Sequence, residues 1–181
     1  NKTNKEPASI NISESKIFLS VQTKYHKCIL NKERGLCIDS LSFNSIGPDP
    51  IIGTIKHGYY DDIRLAADYY SGHAIIEQPG KHKITSLNKV KPKITYEKDK
   101  VFISASQLVD DIKFYSCYIF HTNQNYIIIQ NIIKLPSRIL GIIRPINFTF
   151  LSKIFNKSNL YFSTHNGGPE LEKFNFGGKK F

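Results

Sequence analysis

The chain has no methionine and no tryptophan, and only three cysteines among its 181 residues. Cys28, Cys37 and Cys117 are odd in number and form no Cys-x-x-Cys pair, which argues against a zinc site and against a full disulfide framework. Each lies in an apolar, strand-like run, so buried free thiols are expected, and these favour a reducing, cytoplasmic compartment. No stretch approaches the ~20 apolar residues of a membrane span, so no membrane partner is expected. Also missing are a visible signal peptide, an internal repeat and a low-complexity tract. Because Asn1 stands first and methionine is missing, the chain is expected to be a piece of a larger polypeptide.

Acidic residues are few: 15 Asp and Glu stand against 25 Lys and Arg, a net charge of +10. Such an excess invites a nucleic-acid partner. The lysines, however, are scattered; the compact runs are Lys81-His82-Lys83, Lys89-Val90-Lys91-Pro92-Lys93 and Lys179-Lys180. Abundant Lys, Asn and Ile together are what an AT-rich genome produces, so no nucleic acid is expected. Four Asn-x-Ser/Thr triplets, beginning at Asn1, Asn11, Asn147 and Asn156, are a chance yield of the same composition.

What is present is strand signal. Hydrophobic residues make up 40% of the chain and aromatics 12%, enough for one core. Residues 1–15 are polar and read as a flexible lead-in; 16–181 read as one β-sandwich domain. Strands are expected at Lys16–Val21, Tyr25–Asn31 and Gly35–Phe43, the last two joined by a turn through Lys32-Glu33-Arg34 with Gly35 at positive φ. A phase change between Ile38 and Leu41 points to a bulge near Ser40. Further on, Ile51–Ile55, His73–Glu77 and His82–Leu87 read as short strands. Lys93–Glu97 and Val101–Ser106 form one hairpin, and Ile112–His121 and Tyr126–Leu135 a second. Tyr126-Ile127-Ile128-Ile129 is apolar on both faces, as in a central strand between two layers. Ile139–Arg144, Asn147–Leu151, Leu160–Thr164 and Leu171–Phe176 complete the set. Tyr60–Tyr70 is the one segment of helical spacing, one or two turns long. The fold class is therefore all-β, an antiparallel sandwich with at most one short helix.

Reactive side chains are densest in Ile51–Leu87. His57, Tyr59, Tyr60, Asp61, Asp62, Asp68, Tyr69, Tyr70, His73 and Glu77 combine groups that hydrogen-bond hydroxyls with aromatic faces on which a pyranose can stack. The alternative is a loop whose tyrosines close the sandwich edge and whose aspartates cap turns. Metal is not expected: His57 and Asp61 are four apart and Asp68 and His73 five apart, neither a compact His-x-x-x-His pair. A nucleophilic triad is not expected either, because Ser71-Gly72-His73 is too local and no Gly-x-Ser-x-Gly occurs. Near the other end, Tyr161-Phe162-Ser163-Thr164-His165-Asn166-Gly167-Gly168-Pro169-Glu170 places a histidine and an amide at a glycine turn; a plain β-turn is the competing reading. Arg138 and Arg144 are strand-associated and suited to a bidentate contact.

Gly58-Tyr59-Tyr60-Asp61-Asp62, Ala67-Asp68-Tyr69-Tyr70-Ser71-Gly72-His73 and Thr164-His165-Asn166-Gly167-Gly168 resemble elements of the C-terminal β-domains of large glycoside hydrolases, in the α-mannosidase-like and family-57-like groups. The resemblance covers Gly35 to Phe176 and is most specific at Thr-His-Asn-Gly-Gly. It implies a galactose-mutarotase-like supersandwich, truncated here, because such domains run well beyond 181 residues. It also implies that the catalytic carboxylates lie in a separate barrel domain of the same polypeptide. The expectation is then a carbohydrate-binding or accessory domain that uses no cofactor. Its ligand residues would be His57, Asp61, Asp62, Asp68, Tyr70, His73, His165 and Asn166, gathered on one concave face. A small epimerase or hydrolase with a His–carboxylate pair, drawn from His73 or His165 with Glu77 or Glu170, is the first alternative. A non-catalytic interaction module with a broad apolar patch is the second.

Overall fold

A computed structural model describes residues 10–55, 67–155, 158, 161–162 and 172–173. The first sheet is an antiparallel meander of β1 (Asn11–Glu14), β2 (Phe18–Gln22), β3 (His26–Asn31), β4 (Cys37–Phe43) and β5 (Ile52–Gly53). Two short strands, β6 (Ile75–Glu77) and β7 (Ile84–Thr85), follow. A second meander contains β8 (Lys93–Glu97), β9 (Lys100–Val109), β10 (Ile112–His121) and β11 (Ile127–Lys134), with β8 and β11 at its edges. β12 (Ile142–Arg144) pairs with β6 to make a three-stranded sheet β12-β6-β7, and β13 (Tyr161–Phe162) pairs with β14 (Glu172–Lys173).

Strand alternation builds the layers. Along β9, Val101, Ile103 and Ala105 point inward; along β10, Ile112, Phe114, Tyr118 and Phe120 do the same. The outer halves of these strands, Val101, Ile103, Tyr118 and Phe120, pack against Leu19, Val21, Cys28, Leu30, Ile38 and Leu41 of the first sheet. Ile112 and Phe114, at the other end of β10, pack against Ala74, Ile76 and Ile84 of the three-stranded sheet. The ten-residue strands of the four-stranded sheet thus span one layer, while the first and third sheets together form the opposing layer. This is an all-β antiparallel sandwich, as expected. Each fully buried Leu or Ile contributes about 1.5–3 kcal/mol of transfer free energy.

Four differences from expectation have physical causes. Asn11–Glu14, inside the stretch expected to be a lead-in, is strand β1, because Ile10 is buried in the core and Ile12 packs on it. β11 is an edge strand and not a central one: its inner residues pack on the core while its outer ones face solvent. Asn147–Leu151 forms no strand, although Phe150 bridges Ile52, and Gly53 N and Leu151 N donate across that junction. From Tyr60–Tyr70, the described part holds one 3-10 turn, Ala67–Tyr69; the rest lies outside the described residues. Cys28, Cys37 and Cys117 are free and buried, as expected. No described helix is long and apolar enough to cross a membrane.

Candidate functional site

The chain from Tyr70 to Ala74 runs through the interior, where its main-chain groups and the Ser71 hydroxyl are hydrogen-bonded within the protein. Ser71 Oγ donates to Gly53 O and accepts from Thr149 N, both at 2.7 Å. Ile38 N donates to Ser71 O at 2.8 Å. Gly72 O accepts from Tyr118 Oη at 3.4 Å and from Asn131 Nδ2 at 3.2 Å, and Gly72 N donates to Asn147 O at 2.7 Å. Asn147 Nδ2 donates to Tyr70 O at 3.1 Å, and Asn147 N to His73 O at 3.0 Å. Gly72 is required here: its φ is +84°, and a Cβ would sit 2.5 Å from Tyr118 Oη and 3.2 Å from Ile38 Cγ1. Tyr118 stays protonated far up the pH scale because burial opposes its phenolate.

Of the expected ligand residues, Tyr70 and His73 are therefore interior. They are 3% and 1% exposed and their rings meet edge-to-face at 6.3 Å. Tyr70 packs with Cys37, Ala67, Ile75 and Leu87. Asp68 lies on the 3-10 turn beside it. His57, Asp61, Asp62, His165 and Asn166 lie outside the described residues, as do Tyr59, Tyr60 and Glu170. Glu77 holds Arg144 at 2.7 Å and Lys83 at 3.2 Å, which pins β6 to β12.

One described ligand residue does reach an open cleft. A cavity of about 420 Å³ is lined by Ile17, Phe18, Asn31, Glu33, Arg34, Asp39, Thr54 and Tyr70. Three local features build it. The β3–β4 connection is a 3-10 turn over Lys32–Arg34, capped by Asn31 Oδ1, which accepts from Glu33 N at 3.0 Å, and ended by Gly35 at φ +65°. Gly35 lies against the Ser86 carbonyl, leaving no room for a Cβ, so the turn is fixed against the chain just after β7. On β4 the register with β3 slips between Ile29–Ser40 and Leu30–Ile38, leaving Asp39 as the bulged residue. A bulge re-aims its side chain, and here it sends Asp39 to the cleft wall. Gly53, with Thr54 after it, runs against that bulge: Thr54 N donates to Asp39 O at 3.1 Å, and a Cβ on Gly53 would lie 2.7 Å from the same oxygen.

The cleft thus holds two carboxylates, a guanidinium, an amide, a hydroxyl and the edge of two aromatic residues. Glu33 is engaged by Lys89 at 2.7 Å, and Thr54 Oγ1 donates to Ile38 O at 2.9 Å. Arg34 takes part in no ion pair among the described residues, and its guanidinium carries five donors suited to a ligand. Glu33, Arg34 and Asp39 were assigned to a turn and a strand from the sequence. The phase change at Ser40 was the signal that marked Asp39.

A second cleft of about 300 Å³, lined by Lys81, His82, Asp110, Ser137, Arg138 and neighbours, contains a His–carboxylate pair. His82 Nε2 and Asp110 Oδ2 are 3.4 Å apart, but both side chains are more than half exposed. Water therefore screens the pair and does not prepare it for acid–base catalysis. Among the described residues, no group of three or more His, Cys, Asp or Glu comes together to hold a metal.

Comparison with protein-family models, with curated proteins and with solved structures finds no match to this chain. What is established is the class: an all-β antiparallel sandwich with an open polar cleft at the β3–β4 bulge.

Proposed function

We propose that the chain is a carbohydrate-binding, accessory β-sandwich, of the kind that supports a sugar site next to a glycoside hydrolase's catalytic domain. The carrying observation is the cleft: Asp39 aimed inward by a bulge, Arg34 beside Glu33 with no ion pair among the described residues, and Tyr70 and Phe18 among the lining residues. Vicinal hydroxyls match that set, since carboxylates accept from them while a guanidinium donates to a neighbouring pair of oxygens. The resemblance to galactose-mutarotase-like supersandwiches supports the same reading. Tyr70 is common to the resemblance and the cleft, and the cleft opens where the chain passes through Thr54.

A glycan array probed with the labelled chain, followed by titration with the best glycan, tests this. Saturable binding that Arg34→Ala and Asp39→Ala each weaken at least tenfold is the expected result. Failure to bind any glycan, or binding indifferent to both substitutions, would overturn it.

A further inference from the structure

The sequence of β11 asks for a central strand, yet it stands at an edge. Its inner residues, Ile127, Ile129 and Ile133, pack on the core, while Ile128 and Ile132 on the outer face are 37% and 49% exposed. Among the described residues, no main-chain N–H or C=O of β11 is bonded outside β10, while the Asn131 side chain donates to Gly72 O and Pro145 O. A long, isoleucine-rich edge with free N–H and C=O groups is a template for another strand. The opposite edge, β8, is five residues long and carries Lys93 and Glu97 at its ends, a guarded edge by comparison.

The outer face beside β11 states what kind of strand it would take. Register places Phe102, Ile119 and Ile128 in one cross-strand row and Ser106, Tyr115 and Ile132 in another. Between these rows lies a third of Ser104, Cys117 and Gln130. Beyond Ile132, the last row is Leu108, Lys113 and Lys134, with two lysines directly opposite one another. Like charges at that position destabilise the sheet, and neither lysine has an ion pair among the described residues. A cavity of about 230 Å³ opens over Ser106, Lys113, Tyr115, Ile132 and Lys134.

We infer that β11 receives an extended strand from an acidic–apolar segment of a partner protein, which lengthens the four-stranded sheet by one. Continuing the rows gives the recognition pattern on the outer face: a carboxylate beside Lys134, an apolar residue beside Ile132, a polar one beside Gln130, and an apolar one beside Ile128. Alternate residues of the incoming strand cover Ile127, Ile129 and Ile133. Main-chain bonds supply affinity and the alternating side chains supply specificity. A second copy of this chain is a poor occupant, because β11 contains no acid to answer Lys113 and Lys134 and each copy carries a net charge of +10.

The test uses a fluorescein-labelled ten-residue peptide alternating Glu with Val and Ile, and the same peptide with Lys for Glu, read by anisotropy. Saturable binding of the Glu peptide is expected, with no binding of the Lys peptide. Lys113→Glu with Lys134→Glu should weaken it at least tenfold, as should Ile132→Lys alone, with circular dichroism unchanged. Amide chemical-shift changes should centre on residues 127–134. The inference is overturned by no saturable binding, by binding that the lysine pair does not affect, or by shifts centred elsewhere. Dimerisation through β11 in sedimentation, or capture by phosphatidylserine vesicles in place of the peptide, would overturn it as well. Glycan binding at the β3–β4 cleft is independent of every outcome.

Discussion

Two polar regions of this sandwich are built from similar residues and behave in opposite ways. The crossing from Tyr70 to Ala74 is rich in Tyr, Ser and His, and the hydrogen bonds of Ser71 and Gly72 are spent inside the protein. The cleft of Asn31, Glu33, Arg34, Asp39 and Thr54 has a comparable density of polar groups but faces solvent. What distinguishes them is exposure and how much capacity the fold has claimed: in the cleft Asn31 and Thr54 bond to backbone and Glu33 to Lys89, but Arg34 makes no ion pair among the described residues. A polar residue in the first region maintains the fold, so its loss is read as instability. In the second, loss should be read as weaker binding with the fold intact.

The sharpest way to break this contrast is at Gly72. Valine there meets a φ of +84° that a β-branched residue resists, together with Tyr118 Oη and the Ile38 side chain. Left-handed backbone strain and overpacking together should cost about 4 kcal/mol. Urea unfolding should show the loss, with an unchanged m-value. A variant as stable as the parent would mean that the crossing is not packed as described.

Second in size is the buried imidazole of His26, which lies in the main core between Phe43 and Phe120 with neither ring nitrogen hydrogen-bonded. Burial lowers its pKa from the usual 6.5 to about 4. The unfolded chain therefore binds a proton that the folded chain refuses, so the stability present above pH 6.5 drains away as the pH falls toward 4. By linkage the loss attributable to this residue approaches 3 kcal/mol. Comparing urea midpoints at pH 7 and pH 4 in the parent and in His26→Phe isolates it. The parent should lose about that much more than the variant, and equal losses would remove His26 as the cause.

Ser71→Ala comes third. It orphans the Thr149 N–H and the Gly53 carbonyl, each bonded to Ser71 Oγ at 2.7 Å, and should cost about 2 kcal/mol. Thermal melting of the variant should show a lowered midpoint with an unaltered glycan titration. A binding defect without a stability defect would move Ser71 from the first region to the second.

Much of the fold was legible because alternation and turn chemistry are local. The bounds of β8 and β10 agree with expectation at both ends, and the bulge sits one residue from Ser40. β1 was hidden because its one apolar residue, Ile12, lies in a polar stretch just after Ile10, and only pairing with β2 makes a strand of it. The edge position of β11 was illegible for another reason: an isoleucine run records that both faces meet something apolar, not whether that partner belongs to the same chain. The candidate site was less readable still. Tyr70 and His73 attracted notice as reactive side chains, yet their role depends on burial, which is set by Ile38, Tyr118 and Asn147 from distant parts of the sequence. Glu33 and Arg34 read from sequence only as a turn, because Lys-Glu-Arg is also what an ordinary exposed turn contains.

The smallest expected stability effect carries the other half of the contrast. Asp39→Asn keeps the size and the bulge, and its backbone bond from Thr54 N at 3.1 Å does not involve the carboxylate. Asp39 is half-buried and makes a further interaction, so the folded state should change by about 1 kcal/mol, less than for Ser71→Ala. A carboxylate accepts hydrogen bonds from sugar hydroxyls more strongly than a neutral amide does, so glycan affinity should fall even though shape is preserved. Calorimetric titration at matched stability separates the two readouts. Should Asp39→Asn instead unfold the chain by several kcal/mol, Asp39 would belong with Ser71 as a residue claimed by the fold. The cleft would then rest on Arg34 and on Glu33, a carboxylate that Lys89 already holds at 2.7 Å and that is a weaker acceptor for a vicinal diol.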